Sequence, residues 1–114
     1  PDATISARAQ VGRTNIINAN STIQPYSIVG DGCMIHAGTI IEHDCEVQSF
    51  SNLAPGATLA GHVTVERGAY VYTNASIIPT KTIGADAEVG AGSTVIEDVP
   101  PETTVTGTPA STSE

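Results

Sequence analysis

A chain of 114 residues with no Trp, one Phe and three Tyr has to build its core from Ile, Val, Leu and Ala, as one modest domain. Its formal net charge of −8, with Arg8, Arg13, Arg67 and Lys81 as the whole set of Arg and Lys, excludes a phosphate-neutralising surface for nucleic acid and an attraction to anionic membrane. No apolar run approaches the roughly 18 residues of a membrane span, no charged and then apolar leader opens the chain, and Cys33 and Cys45 are too few for a disulfide framework. The expected location is the cytoplasm. The start at Pro1, without Met, suggests either a fragment or a processed chain.

From Ile5 onward the chain repeats every six residues. The blocks begin with Ile5, Val11, Ile17, Ile23, Val29, Ile35, Ile41, Val47, Leu53, Leu59, Val65, Val71, Ile77, Ile83, Val89 and Val95, sixteen in succession without an insertion. A period of six suits neither a 3.6-residue helix nor a two-residue alternation. It predicts a short strand and a corner, repeated, with the aliphatic first residue facing inward. The fifth position is small or apolar except at Asn15 and Lys81, as expected where walls converge; Lys81 is expected to snorkel outward beside Pro79. Cys33 and Cys45 stand at fifth positions and read as small buried thiols. Glycine or an amide often stands second (Gly12, Asn18, Gly30, Gly84, Gly90), where a tight corner is expected to need unusual backbone angles.

Three such walls close a triangular coil of 18 residues, and coils stack at the strand spacing of about 4.8 Å. The 96 residues from Ile5 to Pro100 make a little over five coils of an all-β parallel solenoid. Pro100 and Pro101 are expected to end the ladder, because proline has no N–H to donate. The Thr- and Ser-rich remainder is expected to be extended or frayed. The bare walls of such a prism favour self-association.

The hexad pattern resembles that of the left-handed β-helix acyltransferases, and the handedness is taken from that resemblance. More specific are Ile40-Ile41-Glu42-His43-Asp44-Cys45, Phe50-Ser51-Asn52-Leu53-Ala54-Pro55-Gly56-Ala57 and Leu59-Ala60-Gly61-His62-Val63. These resemble the sialic-acid O-acetyltransferases and the bacterial UDP-amino-sugar N-acetyltransferases of the bacillosamine pathway. The ending Val89-Gly90-Ala91-Gly92-Ser93, then Asp98-Val99-Pro100 and Gly107-Thr108-Pro109-Ala110, resembles the usual close of that family.

The resemblance implies a left-handed β-helix acyltransferase domain over residues 1–100, with 101–114 as an extended tail. It implies an acetyl-CoA-dependent acetyltransferase, assembled as a homotrimer, acting on an amine or hydroxyl of a sugar or nucleotide-sugar. His43 is then the general base, and Asp44, usually Glu in the family, raises its basicity. The Gly61 N–H holds the acetyl carbonyl. Asn52 stands where a second His near the thioester is common, and Thr73 and Ala91 line the pantetheine track through backbone groups. The family usually carries an N-terminal nucleotide-sugar-binding α/β domain, which these residues do not include.

The spacing agrees with that implication on physical grounds. His43 and Gly61 are third residues of blocks 18 apart, so they are expected to stack on one edge; Thr73 and Ala91 are third residues stacked on another edge. A base and a backbone donor about one strand spacing apart suit acyl transfer, with adjacent subunits facing across a groove. The separations from His36 to His43 and from His43 to His62 miss the 18-residue stack, so no metal is expected. Asn52, the scarcity of basic residues and the missing acceptor domain support a second reading, a non-enzymatic trimeric β-helix module derived from the same family.

Overall fold

The computed structural model describes residues 3–112, and all of its elements are strands. Sixteen two-residue strands follow at six-residue intervals, each pairing a sixth-position residue with the inward first residue of the next block. The first wall stacks β1 (Thr4–Ile5), β4 (Thr22–Ile23), β7 (Ile40–Ile41), β10 (Thr58–Leu59), β13 (Ser76–Ile77) and β16 (Thr94–Val95). The second stacks β2 (Gln10–Val11), β5 (Ile28–Val29), β8 (Glu46–Val47), β11 (Thr64–Val65) and β14 (Thr82–Ile83). The third holds β3 (Ile16–Ile17), β6 (Met34–Ile35), β9 (Asn52–Leu53), β12 (Tyr70–Val71) and β15 (Glu88–Val89). Neighbours are parallel and 18 residues apart, as in Ile23↔Ile41 and Ile41↔Leu59. This is the left-handed β-helix of hexapeptide repeats. None of the described residues forms a helix long and apolar enough to cross a membrane.

Every first-position residue from Ile23 to Val95 is buried. The fifth position has a second task besides being small. The Ser27 hydroxyl donates to the Glu42 carbonyl at 2.6 Å, the Ser21 hydroxyl to His36 at 2.8 Å and the Thr39 hydroxyl to Ala54 at 3.2 Å. Each acceptor is a second-position carbonyl of the next coil, which the corner leaves without a strand partner. Cys45 does the same with the Ala60 carbonyl at 3.1 Å. Burial pushes the Cys33 and Cys45 thiols up from their ordinary pKa, so both stay protonated and act as core.

The unusual backbone angles fall at the fourth position and not at the second. All fourteen fourth-position residues from Thr14 to Gly92 have positive φ, Tyr26, Phe50, His62 and Thr80 included. The second-position glycines serve close approach instead. A Cβ on Gly30 would sit 2.8 Å from the Ser49 amide nitrogen of the coil above, and one on Gly84 would meet the Pro101 backbone.

The prolines do not stop the ladder. Val99 bridges Ile83, and β17 (Thr104–Gly107) joins the third wall with Val105 opposite Val89, both 16 residues on. The last coil is therefore two residues short, and Val99 and Val105 take inward first positions, 4% and 6% exposed. The missing carbonyl is replaced by Asp98 Oδ1, which accepts the Thr82 N–H at 2.8 Å. Pro101 falls at a third position, whose N–H makes no backbone bond in any coil, as at Pro25, Pro55 and Pro79. Finally β18 (Ala110–Thr112) folds back antiparallel on β17 and closes this end.

Candidate active site

Third and fourth residues form the corners, and the corner joining the first wall to the second carries His43-Asp44 and, one coil on, Gly61-His62. The His43 ring lies over Gly61. A Cβ on Gly61 would stand 2.8 Å from both Cε1 and Nε2 of His43, so only glycine leaves the ring this seat. The stacking expected from the 18-residue spacing is therefore present.

Asp44 turns its carboxylate back on its neighbour, with Oδ2 3.0 Å from His43 Nδ1. A carboxylate offers only acceptors, so His43 donates through Nδ1–H and keeps the Nε2 lone pair on the Gly61 side. The carboxylate is also 3.9 Å from His62 Nε2, and the two imidazoles meet edge to face with centroids 5.3 Å apart. His62 thus joins this corner despite its 19-residue offset from His43. A left-handed fourth position swings its side chain back toward the stack, an effect that residue spacing does not reveal. His36, in contrast, lies on the third wall beside β6.

The amides of the corners divide into two kinds. On the corner between the second and third walls, side chains cap all but the Ser49 amide: Arg13 N–H donates to Asp31 Oδ1 at 2.7 Å, Asp31 N–H to Ser49 Oγ at 3.0 Å, Arg67 N–H to Gln48 Oε1 at 3.2 Å and Ala85 N–H to Glu66 Oε1 at 3.1 Å. Among the described residues, the N–H groups of His43, Gly61, Thr73 and Ala91 donate to no acceptor of this chain. The Ala60 carbonyl, on the same peptide as the Gly61 N–H, accepts from Cys45 Sγ at 3.1 Å, which holds that peptide while its N–H stays open.

Thr73 and Ala91 stack as expected, on the corner joining the third wall to the first. Asn52 stands on the outer face of the third wall, between Met34 and Tyr70 in register. Its Nδ2 is 3.7 Å from the Met34 sulfur, and its Oδ1 is buried without a hydrogen-bond partner. The chain thus brings together His43, Asp44, Gly61 and His62, while Asn52, Thr73 and Ala91 lie on other parts of the prism. Lys81 is half-buried at its fifth position, below the shortened coil.

Residues 26–61 match the bacterial transferase hexapeptide family model (six repeats). This chain is a hexapeptide-repeat β-solenoid. Its structure is similar to that of PerB from Caulobacter crescentus, solved in complex with CoA and GDP-perosamine: 35% identity and a TM-score of 0.99 over 100% of this chain and 55% of that one. It is similar to the acetyltransferase domain of PglB from Neisseria gonorrhoeae, solved with acetyl coenzyme A, at 31% identity and a TM-score of 0.98 over 99% and 55%. WeeI from Acinetobacter baumannii follows at 28% identity and a TM-score of 0.73, over 95% and 56%. The chain spans about half the length of these structures. No curated protein matches it significantly.

Proposed function

We propose that this chain is the acetyl-transfer domain of a sugar N-acetyltransferase, taking acetyl from acetyl-CoA to the amine of a nucleotide-linked sugar. The observation that carries this reading is the corner pair: a His43 ring oriented by Asp44 and seated on Gly61, whose amide is open. His43 Nε2 takes the proton of the attacking amine. Asp44 holds the tautomer and stabilises the imidazolium. The Gly61 N–H donates to the acetyl oxygen as negative charge develops there.

The chain's own groups also fit a long, polar co-substrate. Open amides at Thr73 and Ala91 offer a track of donors one coil apart, and the unpartnered Asn52 Oδ1 is a buried acceptor. Acetyl-CoA supplies the activated acyl group. Because His43 and the Thr73–Ala91 corner are separate within one chain, the site is completed by a second copy, in a homotrimer with three such sites. The amine is favoured as acceptor because a GDP-perosamine N-acetyltransferase is among the similar structures at 34% identity.

Calorimetric titration with acetyl-CoA tests the reading, with saturable binding expected below millimolar concentration. An absence of heat at millimolar acetyl-CoA in the assembled oligomer sinks it. With a nucleotide-linked amino sugar as acceptor, His43→Ala should lower kcat by about 10²–10⁴ while acetyl-CoA still binds. A structural module would show neither binding nor turnover.

A further inference from the structure

Asp44 Oδ2 stands between two imidazoles, 3.0 Å from His43 Nδ1 and 3.9 Å from His62 Nε2. The three donor atoms lie within 4.8 Å of one another. A tetrahedral zinc ion holds histidine nitrogen and carboxylate oxygen at about 2.0–2.2 Å, which sets donor atoms about 3.4 Å apart. The two separations from Asp44 bracket that value, and the His43–His62 separation, within 4.8 Å, has to close to reach it. Within the single chain the side chains of His43, Asp44 and His62 are 55%, 41% and 60% exposed, so none is locked by packing against its own chain. Two neutral imidazoles and one carboxylate form a borderline donor set suited to a divalent transition metal. The net charge of −8 further favours a cation.

We propose that His43, Asp44 and His62 form an inhibitory site for a divalent transition-metal ion of the zinc class, with a water completing the shell. Its consequence for catalysis rests on the reading of His43 as the base; the binding itself does not. The ion replaces the proton on His43 Nδ1 and takes the Asp44 carboxylate. Nε2 stays on the Gly61 side, but the ring now carries a cation and has lost its anionic partner. Its affinity for the substrate proton falls, while the open amides of Thr73 and Ala91 are untouched. Inhibition is therefore of kcat, with the KM for acetyl-CoA little changed.

The test is titration of the chain with zinc chloride by calorimetry, and with cobalt(II) by visible absorption, in a non-chelating buffer. One ion per chain is expected, with tetrahedral cobalt bands. His62→Gln and Asp44→Asn should each weaken binding at least tenfold, while His36→Gln on the third wall should leave it unchanged. The buried, protonated Cys33 and Cys45 should add no second site. Binding that survives both His62→Gln and Asp44→Asn, or no saturable binding, overturns the proposal. In the transfer assay, zinc should lower kcat in step with occupancy, and His62→Gln should lose that sensitivity relative to its own metal-free rate. Zinc that binds without lowering kcat overturns the inhibitory role alone. A chain that binds zinc but never acetyl-CoA overturns the acetyltransferase reading and leaves the ion site standing.

Discussion

Gly61 is the most constrained residue of the site. It does not have positive φ, so its need for glycine is steric: the His43 ring occupies the space a Cβ would take. Gly61→Ala should keep the fold, because the displaced atoms are the end of an exposed side chain. It should nevertheless lower kcat by about 10² or more through misplacement of the base, with little change in stability. Parallel thermal melts and steady-state kinetics check this; an unchanged kcat would mean that the His43 seat is irrelevant. The pairing of His43 with Gly61 could be read from 18-residue spacing alone. The approach of His62 could not, because it depends on a left-handed fourth position. The open and capped amides were equally hidden, since they depend on whether a side chain reaches the corner.

The hexad made sixteen strands legible, and the inward aliphatic residues agree with it without exception from Ile23 to Val95. Two readings at this scale needed the backbone. Second-position glycines looked like turn residues, but the turn residue is the fourth. Its identity is obscured because Thr14, Tyr26, Phe50, His62 and Thr80 share it with Gly, Asn and Asp. The final coil was hidden because a two-residue shortening moves Val99 and Val105 out of phase, and Pro100-Pro101 then looks like a terminator. The structure makes that coil a cap on the core. Val105→Asp buries a carboxylate with no partner beside Val89 and should cost several kcal/mol. Hydrogen exchange should then show β17, β18 and the top of the third wall opening while the coils from Ile23 to Val71 stay protected. Uniform loss of protection would contradict a local cap.

At the scale of the whole molecule, the chain is a prism whose reactive groups are divided between corners. The arrangement predicts that function depends on assembly. Sedimentation should give three copies per particle, and acetyl-CoA affinity should fall on dilution below the assembly constant. Full acetyl-CoA binding by a monomer would show that one chain completes the site. Both the Thr73–Ala91 stack and its place on a different edge from His43 were readable from spacing; the structure adds which walls meet at each edge.

The capped and open corners also bear on how such a chain can change length. The interior tolerates any deletion of six residues, since every aliphatic side chain still turns inward. The chemistry does not. Losing six residues between His43 and Gly61 would carry Gly61 round by a third of a turn, onto a corner where His43 is absent. Whole coils can be lost or duplicated with the catalytic corner kept in line, but single hexads cannot. Packing therefore counts in sixes and the reaction in eighteens, and drift in length between Ile5 and Val95 is quantised by the larger number.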